Sequence, residues 1–187
     1  MEKKPVRERL LETAGRLFYE QGYHATGINQ IIKEAETAKA SFYQHFPSKE
    51  ELCVAYLEKR HIHSHNAQKS FISEGATPVD RVCNLFENIR RNAEIYNFNG
   101  CHFLNISAEI HEYDSGARQV VKKHKTKLIQ LIEDALEGYE NNKQLAETIY
   151  VIYEGTTIAV KNYRELWPVE RSVEAVRALL SGAKYAG

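Results

Sequence analysis

The sequence predicts an all-α fold of about nine helices, three short ones at the N-terminus and then a larger helical bundle. Three observations predict it. Apolar residues recur at three- and four-residue spacing through most of the chain, the mark of helices with one buried face. Only four prolines and ten glycines interrupt its 187 residues, so helices can run long. No stretch of useful length alternates apolar and polar residues as a half-buried strand would.

In the first helix Leu10, Leu11, Ala14, Leu17 and Phe18 share one face, opposite Arg7, Glu8, Glu12, Arg16 and Glu20. Gln21-Gly22 stops it, since glycine takes the left-handed capping conformation without strain. Thr26 is the expected N-cap of a short second helix carrying Ile28, Ile31, Ile32 and Ala35. A third short helix holds Ala40, Phe42, Tyr43 and Phe46 and ends before Pro47. Ser48-Lys49-Glu50-Glu51 is a capping box, with Ser48 as N-cap of a fourth helix through Leu52, Ala55, Tyr56 and Leu57.

Beyond about residue 70 the helical patterns lengthen. Thr77-Pro78 reads as an N-cap followed by proline in the first turn, opening a helix with Val82, Leu85, Phe86 and Ile89 on its apolar stripe. Asn99-Gly100 breaks the chain before a short helix with Phe103, Leu104, Ile106, Ala108 and Ile110. Asp114 or Ser115 caps a long helix through Val120, Val121, Leu128, Leu131, Ile132 and Leu136. Asn141-Asn142 separates it from a helix running from Leu145 to about Tyr163, and Trp167-Pro168 marks the start of the last one.

Thr26 to Leu52 is the informative stretch. Two helices of roughly two turns each, joined tightly, form the helix-turn-helix unit that lays its second helix in a major groove. With Ile28, Ile31, Ile32, Ala35, Phe42 and Phe46 packed inward, Lys39, Ala40, Ser41, Tyr43, Gln44 and His45 are left toward the open side. Small residues allow close approach, Gln44 can read a base edge, and Lys39 and Tyr43 can reach phosphates.

Here the sequence resembles the TetR/AcrR family. The resemblance rests on Ala14-Gly15-Arg16-Leu17-Phe18, Gly22-Tyr23-His24-Ala25-Thr26, Ile31-Ile32-Lys33-Glu34-Ala35 and the run from Lys39 to Leu52. It covers the first third of the chain closely. The remainder shares length, helicity and a looser Gly100-Cys101-x-x-x-Asn105-x-x-x-Glu109 pattern. The resemblance implies a helix-turn-helix DNA-binding domain over residues 1–47 and a helical ligand-binding and dimerisation domain over residues 48–187. It implies a homodimeric regulator, a repressor more often than an activator, released from palindromic double-stranded operator DNA by a small-molecule effector. By position, Lys39, Ala40, Ser41 and Gln44 face bases, and Thr26, Tyr43, His45 and Lys49 contact phosphates.

Two positions depart from the family pattern, which has Gly-Val-Ser where this chain has Glu36-Thr37-Ala38. Glu36 is expected to strain the turn by ~1 kcal/mol, and Ala38 to forgo a cap of about that size. Residues 1–60 carry ten Lys/Arg and nine Asp/Glu, a net of +1, so DNA attraction depends on placing Lys3, Lys4, Lys39 and Lys49 on one face.

In the later helices Phe86, Phe103, Tyr150, Tyr153 and Thr157 offer apolar walls with polar anchors for a ligand, and Asn105 and Glu109, four apart, share a helix face. Each has a plainer reading as ordinary core, and Asn105 and Glu109 as internal hydrogen-bonding residues. Thr148, Val151, Ile152, Gly155 and Ala159, with Val173, Val176 and Leu180, make a stripe suited to a four-helix dimer seam.

Other function classes find less footing. A bare three-helix interaction module leaves the Tyr43–Leu52 run unexplained. His61 and His65, four apart, have a metal-binding spacing, and Cys101 is a candidate thiol sensor, although a solvated helix face and an inert buried thiol are the plainer readings; no metal site is assigned. No Ser-His-Asp order, Gly-rich phosphate loop or metal-hydrolase motif occurs, so neither a catalytic residue nor a cofactor is assigned. Cys53, Cys83 and Cys101 are odd in number and form no CxxC pair. With no apolar run near the ~18 residues of a membrane span, they give the expectation of a soluble cytoplasmic protein.

Overall fold

The computed structural model describes residues 4–113 and 115–185. Lys3, and Asp114 as the alternative cap, lie outside them. The described residues form nine helices: α1 Val6–Glu20, α2 Ile28–Glu34, α3 Lys39–His45, α4 Lys49–Ser73, α5 Pro78–Ile95, α6 His102–Glu109, α7 Gly116–Ala135, α8 Asn142–Tyr163 and α9 Trp167–Ser181. The one extended pairing among them is an isolated bridge between Tyr139 and Tyr185.

Several expected signals act as read. Ser48 Oγ accepts from the Glu51 amide at 3.0 Å, and Thr77 Oγ1 from the Asp80 amide at 3.1 Å. Ser115 Oγ accepts from the Arg118 amide at 3.3 Å. Gly22 sits at φ +99° behind α1. Two helix starts differ. α8 begins at Asn142, about a turn before Leu145, with no side-chain cap. α2 is preceded by Gly27 and also has no side-chain cap. Thr26 is therefore not the N-cap: its hydroxyl turns back and donates to the Gly22 carbonyl at 2.6 Å. A threonine offered four residues after a carbonyl can satisfy itself locally, and here that bond wins.

The chain divides into two compact units, Met1–Ile62 with His102–Lys123, and His63–Cys101 with His124–Gly187. The division falls inside α4 and α7, not at residue 47. Packing groups α6 with the first three helices, so the 47/48 boundary remains a functional division to be proposed.

In the first unit, Leu10, Ala14, Leu17 and Phe18 of α1 are buried with Ile31, Phe42, Leu52 and Leu57. Gly15 is required beneath Tyr56, because a Cβ there would lie 2.6 Å from the ring. His102 of α6 stacks on Tyr19 with centroids 3.8 Å apart and bonds the Tyr56 hydroxyl through Nδ1 at 2.5 Å. In the second unit, α5, α8 and α9 pack together around Val82, Leu85, Phe86, Ile149, Val169 and Val176. No described helix is long and apolar enough to cross a membrane.

Candidate functional site

α2 and α3 are held by their apolar faces. Phe42 and Phe46 sit with ring centroids 6.4 Å apart, and Ile31 and Ala35 are buried with them. That anchoring turns the other side of α3 outward: Lys39, Ala40, Tyr43, Gln44 and His45 are exposed and Ser41 half-buried. Six of the eight expected DNA-contacting side chains therefore lie together on α3.

The turn between α2 and α3 bears out the expected strain. Glu36 has φ +50°. Its amide donates to the Lys33 carbonyl at 3.2 Å, and the Thr37 amide to Ile32 at 3.1 Å. This is a Schellman closure with glutamate where glycine is usual. Arg9 Nη1 donates to the Glu36 carbonyl at 3.2 Å, which fixes the turn against α1. Ala38 precedes α3 with no side-chain cap, as expected.

The other two expected contacts have different parts. Thr26 is fully buried, so its side chain does not reach a phosphate. Lys49 Nζ donates to the carbonyls of Tyr23 at 2.9 Å and Thr26 at 3.1 Å, and lies 4.3 Å from the Tyr23 ring centroid. Partial burial pulls its pKa below the ordinary lysine value. Lys4 is paired with Glu12 at 2.8 Å. Of the cations expected on one face and described, Lys39 alone extends from α3. Thr26, Gly27, Asn29, Lys39, Tyr43 and Lys49 nevertheless line one open surface cleft of about 450 Å³.

The same turn is gripped from the other side by a residue expected to bind ligand. Glu109 Oε1 accepts from the Tyr23 amide at 3.0 Å and Oε2 from the His24 amide at 2.7 Å. The His24 ring also bonds the Glu109 carbonyl, 2.9 Å from Nε2. Glu109 thus belongs to the scaffold of the first unit.

The profile described as bacterial regulatory proteins of the tetR family matches residues 10–56, the span from α1 into α4. The chain is 27% identical over 187 residues to the HTH-type transcriptional repressor NemR of Escherichia coli K12, covering 94% of each. It is 55% identical over 78 residues to the HTH-type transcriptional regulator LmrA of Bacillus subtilis, covering 41% of this chain and 37% of that protein. The reduced form of E. coli NemR superposes with a TM-score of 0.82 at 25% identity, covering 98% of this chain and 100% of that one. A TetR-family regulator from Streptomyces coelicolor superposes at 0.85 and 25% identity, over 94% and 88%. Residues 10–56 are thus a regulatory domain of the tetR type, and the chain as a whole takes the fold of the two solved regulators.

With them, the chain is a DNA-binding transcriptional regulator of the helix-turn-helix type. The expected ligand residues divide between the two units. Phe103, Asn105 and Glu109 lie in the first, Phe103 as buried core. Phe86, Tyr150, Tyr153 and Thr157 lie in the second. There Phe86 meets Tyr153 edge-on with centroids 5.5 Å apart. Thr157 donates its hydroxyl to its own helix at the Tyr153 carbonyl, 2.9 Å away. Lys125 and Glu154 form an ion pair at 2.6 Å, only 12% and 16% exposed. Burial opposes the Lys125 charge, but Cys101 and Glu154 beside it raise its pKa above the ordinary value.

Gln68 and Asn88, buried beside Tyr153, are absent from the expected set. Their signal was a polar residue in an apolar phase: Gln68 lies four before Ile72, and Asn88 three after Leu85. The dimer stripe also needs correction on α9, where Val176 and Leu180 point into their own core. On α8, Thr148, Val151 and Gly155 of the expected stripe are exposed, Val151 by 67%, together with Ile158, whereas Ile152 packs against the core and Ala159 is half-buried. Around His61 and His65 no group of three metal-ligating side chains gathers among the described residues.

Proposed function

We propose that the chain is a homodimeric repressor that reads a palindromic operator through α3 and is released from it by an effector held in the C-terminal helices. Residues 1–47 would carry the DNA reading, and residues 48–187 effector binding and dimerisation. The observation that carries the reading is the outward row Lys39, Ala40, Tyr43, Gln44 and His45 on a helix whose Phe42 is fully buried. Lys39 and Gln44 suit base edges, and Tyr43 and His45 suit flanking phosphates. The Lys49-bound turn offers the Thr26–Gly27 edge as backbone rather than as a threonine side chain.

The exposed stripe Thr148, Val151, Gly155 and Ile158 supports dimerisation through α8, since isolated monomers rarely leave such a row uncovered. A two-fold dimer sets its recognition helices one turn of DNA apart, ~34–36 Å, or a multiple of it. An effector weakens the complex only if it prefers an arrangement in which that spacing is lost. The reading assigns the chain no catalytic step and places it in the cytoplasm.

The test is fluorescence anisotropy of the purified protein on DNA flanking its own gene, with competitor DNA and a salt series. Tight binding that survives competitor is the expected result. Binding that falls steeply with salt and shows no sequence preference would leave backbone contacts alone and sink the operator claim.

A second reading has one observation in its favour. Cys101 Sγ is half-buried and 3.9 Å from Lys125 Nζ, whereas burial pushes the Cys53 thiol up to about 12 and raises Cys83. In that reading, modification of Cys101 is the signal. Iodoacetamide then abolishes operator binding by the wild type and spares Cys101→Ser; equal loss or equal retention removes it.

A further inference from the structure

The core of the second unit contains a polar chain that stops short. Asn92 Nδ2 donates to Asn88 Oδ1 at 3.2 Å. Asn88 and Gln68 both hydrogen-bond the Tyr153 side chain. Asn88 and Gln68 are each 4% exposed, and Tyr153 is 7% exposed. At the far end, Gln68 Oε1 is buried and takes no hydrogen bond among the described residues. A buried acceptor in that state costs about 1–3 kcal/mol, and native cores rarely retain one without a use.

The surroundings restrict what completes it. An orphan oxygen asks for a donor. Phe86 and Tyr153, edge to face at 5.5 Å, present aromatic surface beside it, with Tyr150 one turn back along α8. The nearby Lys125–Glu154 pair is already balanced at 2.6 Å, so an ionic guest would bring uncompensated charge into a dry core.

We infer that Gln68 Oε1 is the recognition point for a neutral aromatic effector bearing a hydroxyl or N–H donor, of the phenol or aryl-amide class, seated against Phe86 and Tyr153. This rests on the effector-released reading above and names the chemistry of its ligand. The guest supplies the missing hydrogen bond and extends the Asn92–Asn88–Tyr153–Gln68 chain.

The experiment uses full-length protein without DNA and three probes of one size class: phenol, anisole and toluene. Isothermal titration on wild type is expected to show phenol binding at least tenfold tighter than anisole or toluene. In Gln68→Leu that preference falls to about twofold or less while toluene binding persists. Circular dichroism checks that the variant keeps its helices, and the phenol-to-anisole ratio on wild type decides the matter if it does not. Equal affinities, no binding of phenol, a preference that survives in Gln68→Leu, or a crystal structure with only an ordered water on Gln68 Oε1 each overturn the assignment. Because no DNA is present, any of these leaves operator binding untouched, and failure of operator binding leaves the probe ratios readable.

Discussion

The turn between α1 and α2 and the polar chain around Tyr153 use the same kinds of group to opposite ends. At the turn four backbone groups meet charged side chains. Glu109 takes the amides of Tyr23 and His24, and Lys49 takes the carbonyls of Tyr23 and Thr26. Around Tyr153 the partners are neutral amides and the row ends in an unclaimed oxygen. Charge-assisted bonds are stronger and fix geometry, which suits an edge that must meet phosphates at a set position. Neutral groups with one vacancy suit a core that must admit a guest. The contrast separates a region built to hold still from one left incomplete.

The Lys125–Glu154 pair is where the contrast breaks most easily. Lys125→Met strands a carboxylate that is 16% exposed, and removing one partner of a buried pair costs about 3–5 kcal/mol. The expected result is a large drop in the urea midpoint, with most of it restored in Lys125→Met/Glu154→Leu. A single variant as stable as wild type would mean that the pair is solvated, and the case for a neutral effector would lose its basis.

The recognition helix comes next. Tyr43→Ala with Gln44→Ala removes two exposed side chains, of which Tyr43 also meets the buried Phe42 ring edge-on with centroids 5.2 Å apart. The base-edge contact of Gln44 is worth about 1–3 kcal/mol and the loss of the Tyr43 phosphate contact adds to it, so operator affinity should fall at least about tenfold while the elution volume on gel filtration stays that of the wild type. Retained affinity would move the reading surface off α3.

Glu109 tests the rigid half directly. Hydrogen bonds to a charged group contribute about 1.5–3 kcal/mol, and Glu109→Ala removes two from the α1–α2 turn. Amide exchange at Tyr23 and His24 should quicken markedly, and operator affinity should fall with α3 itself intact. Unchanged exchange would show that Lys49 suffices to hold the turn.

What was legible in the sequence follows from how far each signal reaches. Caps and periods are local, so Ser48, Thr77, Gly22 and the buried faces of α1 and α3 could be read directly. The strain at Glu36 was legible because a Schellman closure forces its C′ residue to positive φ whatever that residue is. Thr26 was misread because a hydroxyl has two local choices, the helix ahead and the carbonyl four residues back, and spacing does not rank them. Val176 and Leu180 were misplaced because an apolar stripe does not say whether it meets its own core or a second subunit. The partners of Glu109 and Gln68 lay out of reach: one bonds amides 85 and 86 positions away, and the other belongs to a cluster drawn from three helices.

The smallest effect sharpens the comparison most, because the two units hold the same strained conformation for different reasons. Glu36 at φ +50° and Phe98 at φ +58° are both non-glycine residues in the left-handed region. Relieving that conformation is worth about 1–2 kcal/mol, against about 0.5–1 kcal/mol for glycine's extra freedom in the unfolded chain. Glu36 is exposed, and the bond its carbonyl accepts from Arg9 survives the change. Glu36→Gly should therefore gain about 0.5–1 kcal/mol, or about 1–4 °C in Tm. Phe98 packs its ring on the second unit's core with Arg164 5.7 Å from the ring centroid. Phe98→Gly loses that surface, about 1–2 kcal/mol, which cancels or exceeds the relief. Thermal melts of the two variants should thus move apart, Glu36→Gly upward and Phe98→Gly level or downward. If both rise together, the Phe98 ring contributes nothing to the core; if neither rises, Glu36 is not strained and its turn is as comfortable as glycine would make it.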